Sequence, residues 1–143
     1  MKSKILVTLQ FLSILLMLFM IEIGSKFFIL GIIISILSIY IGISGINEHN
    51  KKFNIRPDIQ QDNTTLITTG IYKYIRHPMY FSVVFGMLGI LIAFYSMTEL
   101  IVYIFLVVVM IIKLHYEESL WVNHTDEYKT YQKNTKKLIP FVY

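Results

Sequence analysis

Arg76-His77-Pro78-Met79-Tyr80 closes a polar stretch and opens an apolar one, and Glu117-Glu118 stands at the end of the apolar segment that follows. Brought together, these groups would form a polar pocket at one membrane face. A guanidinium or imidazole meets carboxylates, a carboxylate accepts from hydroxyls, and an aromatic face attracts a cation. One such residue alone would read as a headgroup contact or a surface ion pair. Five in a row, answered by paired acids, read as a site. For them to meet, two helices must fold back on each other.

The elements that would do this are legible as apolar blocks. The 143 residues have room for one domain, 1–143, and 55% of them are hydrophobic, above the roughly 45–50% of an average soluble chain. Ile5–Ile23 carries only Glu22 as a charge, Phe27–Ile46 and Met79–Met97 carry none, and Leu100–Ile112 is shorter but extends to Tyr116. A helix needs roughly 20 apolar residues to cross a ~30 Å core. The expected spans are about 5–23, 27–46, 79–97 and 99–116, with a loop over 47–78 and a tail over 117–143. The expected fold class is therefore all-α: a polytopic membrane protein of about four transmembrane helices plus a C-terminal interfacial helix.

Charge sets the orientation. With four spans, twelve of the thirteen Lys and Arg residues fall on one side and Lys26 stands alone on the other. The positive-inside rule assigns the crowded side to the cytosol. Both termini, the 47–78 loop, the 117–143 tail and the Arg76/Glu117 cluster are expected there, in a bacterial cell membrane. The net charge of +4 then reflects topology and anionic lipid headgroups, and no nucleic-acid partner is expected. Lys2 and Lys4 before an apolar run resemble a signal peptide, but the run is long and no small-x-small cleavage pattern follows, so the segment is expected to stay. Cysteine is absent, which excludes disulfides and thiolate chemistry.

Gly31, Ser35, Ser38, Gly42 and Gly45 repeat at helical spacing in the second block, and Ser82, Gly86, Gly89 and Ala93 do so in the third. Lipid offers little hydrophobic drive between helices, so small residues that let backbones approach mark the bundle interior. The link Ser96-Met97-Thr98-Glu99 is short and makes spans three and four antiparallel neighbours. In the tail, Leu120, Trp121, Tyr128 and Tyr131 alternate with charged residues. That pattern suits an interfacial helix anchored by its aromatics, or a lid over the pocket.

Several chemistries are set aside. There is no Walker A loop and no Gly-x-Gly-x-x-Gly, and the sequons at Asn63 and Asn123 are idle on a cytosolic face. His77, His115, Glu117, Glu118 and His124 match neither a His-Glu-x-x-His helix nor a paired Glu-x-x-His set, so no metal is expected. Proton-coupled transport needs an ionisable group deep in the bilayer, whereas Glu22, Lys113 and Glu117 fall at segment ends.

The run from Leu66 to Tyr80, the apolar hairpin ending in Glu117-Glu118, and the ending Asp126-Glu127-Tyr128-x-x-Tyr131 to Leu138-Ile139-Pro140 resemble the isoprenylcysteine carboxyl methyltransferase and phospholipid methyltransferase family of integral membrane enzymes. The resemblance covers roughly residues 52–140. It implies an enzyme that uses S-adenosylmethionine to methylate a carboxylate, amine or thiol on a lipophilic or lipidated acceptor. By position, Leu66, Ile67, Tyr72, His77, Pro78, Met79, Tyr80, Glu117 and Glu118 would bind the cofactor, with Arg76 and Lys113 as catalytic candidates. Lys113 falls where the carboxyl methyltransferases carry a basic residue facing the acceptor, here as Lys in place of Arg. Sterol-reductase relatives that use NADPH carry a similar Arg-His-Pro-x-Tyr segment and supply the alternative, together with a non-catalytic membrane module. The reductases show Asn at x and an acid soon after Tyr, where this chain has Met79 and the apolar run Phe81–Phe85.

Overall fold

The structure is a computed structural model that describes residues 2–21, 25–48 and 66–139. Most of the 47–78 loop, Glu22, the Asn63 sequon and Pro140 lie outside the described residues. Five helices follow in order: α1 (Lys2–Phe19), α2 (Phe28–Glu48), α3 (Pro78–Ala93), α4 (Met97–His124) and α5 (Asp126–Asn134), with a 3₁₀ turn at Gly70–Lys73 before α3. Three helices, α1, α2 and α4, are long and apolar enough to cross a membrane, and α3 is a shorter apolar helix. This is an all-α membrane protein.

The bundle is built inside out relative to a soluble one. Leu15, Ile29, Ile36, Tyr40 and Ile101 are each at least 60% exposed, which suits a lipid solvent. The buried face of α2 is the small-residue stripe Gly31, Ser35, Ser38, Gly42 and Gly45. It lies against the small stripe of α3. A Cβ on Gly89 would collide with the Gly31 carbonyl oxygen and with Ser35, and one on Gly42 with the Ser82 side chain. The Ser35 hydroxyl donates to the Gly86 carbonyl across the seam at 2.9 Å. These backbones approach so closely because no side chain stands between them.

Helices α3 and α4 differ from expectation in length. The third span is the short one: α3 has 16 residues, about 24 Å, while α4 has 28, about 42 Å, and overshoots a ~30 Å core. The reason is capping. Ser96 is the N-cap of α4, accepting from the Glu99 backbone N–H at 3.1 Å, so the link is Phe94–Ser96 and Met97 already belongs to α4. At the other end α4 runs through Glu117 and Glu118, because both acids find partners inside the protein.

α1 packs along α4, and α2 along α3. The buried face of α1 is Ser3, Gln10, Ser13 and Met17, at the seven, three and four spacing of a helix stripe. Opposite the Arg76 end of the bundle, the Ser25 amide donates to the Ala93 carbonyl at 2.7 Å and ties the α1–α2 turn to the end of α3.

Candidate functional site

Pro78 at the first position of α3 pre-sets the helical φ and forfeits only an N–H that would have no partner there. The helix therefore begins abruptly, directly after His77. The segment before it is fixed from both sides. On one side Glu48, at the end of α2, accepts from the Thr69 hydroxyl at 2.7 Å and packs so closely on Gly70 (φ 55°) that a Cβ there would collide with its carboxylate. On the other, Ile75 bridges Lys136 in parallel, and the amides of Arg76 and His77 donate to the carbonyls of Lys136 and Lys137 at 2.8 and 3.1 Å.

Between this segment, α1, α4 and α5 lies a cavity of about 400 Å³, within the roughly 300–1,000 Å³ of small-molecule sites. Leu66, Ile67, Tyr72, Arg76, His77, Pro78, Met79, Tyr80, Lys113 and Glu117 all line it. Glu118 does not. Adjacent residues on a helix point about 100° apart, and Glu118 turns to the other side. There it accepts from Arg76 Nε at 2.8 Å and lies 3.4 Å from both His77 Nε2 and Lys137 Nζ. The Arg76 Nη1 donates to the carbonyls of Gln132 (3.2 Å) and Thr135. Arg76 is thus a pin holding the C-terminal segment beneath the cavity.

Glu117 and Lys113 face the cavity from one turn of α4 to the next. The Tyr80 hydroxyl donates to Glu117 Oε2, a clasp between α3 and α4 at the same level. Lys113, at the end of the uncharged run of α4, is 4% exposed: its ammonium donates to Gln10 Oε1 of α1 at 2.7 Å and lies 5.1 Å from the Tyr80 ring centroid. A lysine so buried is no snorkelling anchor.

Sequence reasoning passed over Gln10, Phe11 and Ile14 of α1, Ile46 of α2 and Met110 of α4, which also line the cavity. The signal for Gln10 was available as a lone amide in an apolar run. The tail aromatics roof the cavity and are not surface anchors. Tyr128 and Tyr131 are 2% and 9% exposed, and Trp121 stacks on Tyr128 at 5.7 Å. Burial raises the phenols of Tyr72, Tyr128 and Tyr131 above their ordinary pKa, so they remain neutral donors. Tyr131 donates to the Tyr72 carbonyl at 2.7 Å. Tyr128 lines the cavity, and its hydroxyl is buried with no hydrogen-bond partner among the described residues. Such a donor is costly unless a ligand supplies the acceptor.

A second cavity of about 180 Å³, almost wholly apolar, lies between α3, α4 and Leu138 and shares Tyr80 and Met110 with the first. Among the described residues no three His, Asp or Glu side chains are grouped as metal ligands.

The helices of this membrane protein thus surround a largely apolar, aromatic-walled cavity with a few charged side chains at one end of the bundle. A family model for phospholipid methyltransferase matches residues 26–128. The chain belongs to that family of integral membrane methyltransferases, which is related to the isoprenylcysteine carboxyl methyltransferases. The match runs from just before α2 to Tyr128 and leaves α1 outside; it favours methyl transfer over the reductase alternative. No curated protein and no solved structure gives a significant match.

Proposed function

We propose that the protein transfers a methyl group from S-adenosylmethionine to a lipophilic acceptor carrying a carboxylate, amine or thiol, at the cytosolic membrane face. The observation that carries this reading is the main cavity, where Glu117 and Lys113 stand among Tyr72, Tyr80, Trp121, Tyr128 and Tyr131. The residues present fit the cofactor. The faces of Tyr72, Tyr80 and Trp121 suit a sulfonium, Glu117 suits ribose hydroxyls, and Tyr128 and His77 can meet a carboxylate.

When bound, the cofactor supplies a methyl group already activated on sulfur. The protein's own contribution is alignment and exclusion of water. Tyr80 fixes Glu117 by its hydroxyl. The α5 aromatics close the roof, and Arg76 with Glu118 holds α5 in place. The second cavity, almost wholly apolar, suits the acceptor's hydrocarbon chain, which would enter from the bilayer beside Tyr80 and Met110.

Cofactor binding tests the reading. The purified protein should bind S-adenosylmethionine and not NADPH, and Glu117→Gln should weaken that binding about ten- to a hundredfold, the worth of one charge-assisted hydrogen bond. Calorimetric titration giving equal affinity for wild type and variant would remove Glu117 from the site. Orientation is tested separately. Twelve of thirteen basic residues on one side should place reporters fused after Tyr143 in the cytosol and reporters in the Phe94–Ser96 link outside it. A C-terminus outside the cytosol would separate the cavity from cellular cofactor.

A further inference from the structure

α1 lies outside the residues that match the family, yet it completes the cavity. Its buried stripe brings Gln10 against Lys113, and both side chains are more than nine-tenths buried. An ionisable group inside a membrane bundle is costly, and its partner is informative. A carboxylate would neutralise the ammonium. Gln10 offers one carbonyl oxygen, at 2.7 Å, which orients the ammonium without neutralising it, while the carboxylate nearest along α4, Glu117, faces the same cavity. Of its remaining contacts, the ring face of Tyr80 lies 5.1 Å away, and the Tyr80 hydroxyl is committed to Glu117. Gln10, Lys113, Tyr80 and Glu117 thus form one connected wall across α1, α4 and α3.

The aromatic roof and Glu117 occupy the other end of that wall. Beside Gln10 stand Phe11 and Ile14, and Phe11 is half exposed on the outer, lipid-facing surface of α1. The Gln10 side of the cavity therefore borders the bilayer too, as the side beside Tyr80 and Met110 does. We infer that Gln10 is a positioning residue that holds the Lys113 ammonium toward the methyl acceptor, so that α1, a helix outside the family match, sets how this enzyme receives its acceptor. The inference rests on the methyltransferase reading above. It assigns Gln10 no contact with cofactor.

The test uses the full chain as Gln10→Leu, Gln10→Glu and the double variant Gln10→Leu/Lys113→Met. For each, calorimetry gives S-adenosylmethionine affinity, melting in detergent gives folding, and tritiated methyl transfer into vesicles of the producing cells' total lipid gives activity. Gln10→Leu should bind cofactor as wild type does and lose transfer about ten- to a hundredfold, as expected for one hydrogen bond to a charged group. Gln10→Glu keeps an oxygen for the ammonium and should retain most of the transfer. The double variant should melt like wild type and stay inactive. Transfer restored in the double variant would make the pair merely structural, and undiminished transfer in Gln10→Leu would overturn the inference directly. Cofactor affinity falling in step with transfer would move Gln10 to the cofactor end and overturn it as well.

A second arm needs no turnover. Acylation of Lys113 by an amine-reactive ester, read by mass spectrometry, should rise in Gln10→Leu because the amine is no longer held. Unchanged labelling overturns the positioning role whatever the transfer assay gives. A wild type that binds no cofactor would sink the methyltransferase reading, while the labelling arm still decides the part played by Gln10.

Discussion

Arg76→Ala should melt in detergent well below the wild type, by the equivalent of about 3–5 kcal/mol, because it breaks a buried ion pair and strands one charge. The guanidinium and the Glu118 carboxylate are 5% and 8% exposed, and their contact is 2.8 Å. The same side chain also donates to the carbonyls of Gln132 and Thr135. Its loss would therefore free the segment after α5 as well as orphan Glu118. His77 and Lys137, each 3.4 Å from Glu118, soften the loss without replacing the fork. Cofactor affinity should fall along with stability, since Tyr128 and Tyr131 line the cavity from α5, whose end Arg76 holds through Gln132 and Thr135. Glu118→Gln should be milder, because an amide oxygen still accepts from Arg76. The decisive outcome is the pairing of the two readouts. An Arg76→Ala protein that melts normally yet no longer binds S-adenosylmethionine would make Arg76 a direct cofactor ligand and refute the pin.

How much of this was readable in the chain depended on the range of the interaction involved. The α2 and α3 stripes were legible because lipid leaves close packing of small residues as the main glue, and the five positions picked by spacing are the five that α2 buries. The start of α3 was legible because His77-Pro78 carries a boundary in its own backbone chemistry. The hairpin lengths were not read correctly, since hydropathy averages are blind to caps. The Ser96-x-x-Glu99 pattern held the missing information, and Ser96 does cap Glu99. Glu117 and Glu118 were read as a pair, although neighbours on a helix diverge by about 100°; one faces the cavity and the other clamps the tail. Leu66, Ile67, Tyr72, the five residues from Arg76 to Tyr80, Lys113 and Glu117 do line one cavity. Two features had only faint sequence signals. Arg76 meets Thr135 across 59 residues, a contact no local pattern encodes, and Gln10 meets Lys113 across 103.

That longest-range contact also bears on the second large effect. Lys113→Met should leave S-adenosylmethionine affinity unchanged and lower methyl transfer about 10²-fold, the usual cost of misplacing a reactant by removing the group that aligns it. Methionine nearly matches lysine in length and keeps the cavity wall filled while deleting the ammonium over the Tyr80 ring. Folding should survive, because the ammonium's hydrogen bond goes to a neutral amide, and Glu117, one turn further along α4, keeps the Tyr80 hydroxyl as its partner. A loss confined to the chemical step lowers kcat and kcat/KM together and leaves cofactor binding alone, whereas a loss of uniform binding raises KM only. Lys113→Arg would keep the charge but demands room for a planar fork beside Gln10 and Tyr80, so partial activity is expected. Equal loss of cofactor affinity and transfer in Lys113→Met would place the ammonium in the cofactor site with Glu117. Full transfer would mean that the buried charge serves only to join α1 to α4, and the methyl acceptor would then have to be oriented by the apolar cavity and Tyr80 alone.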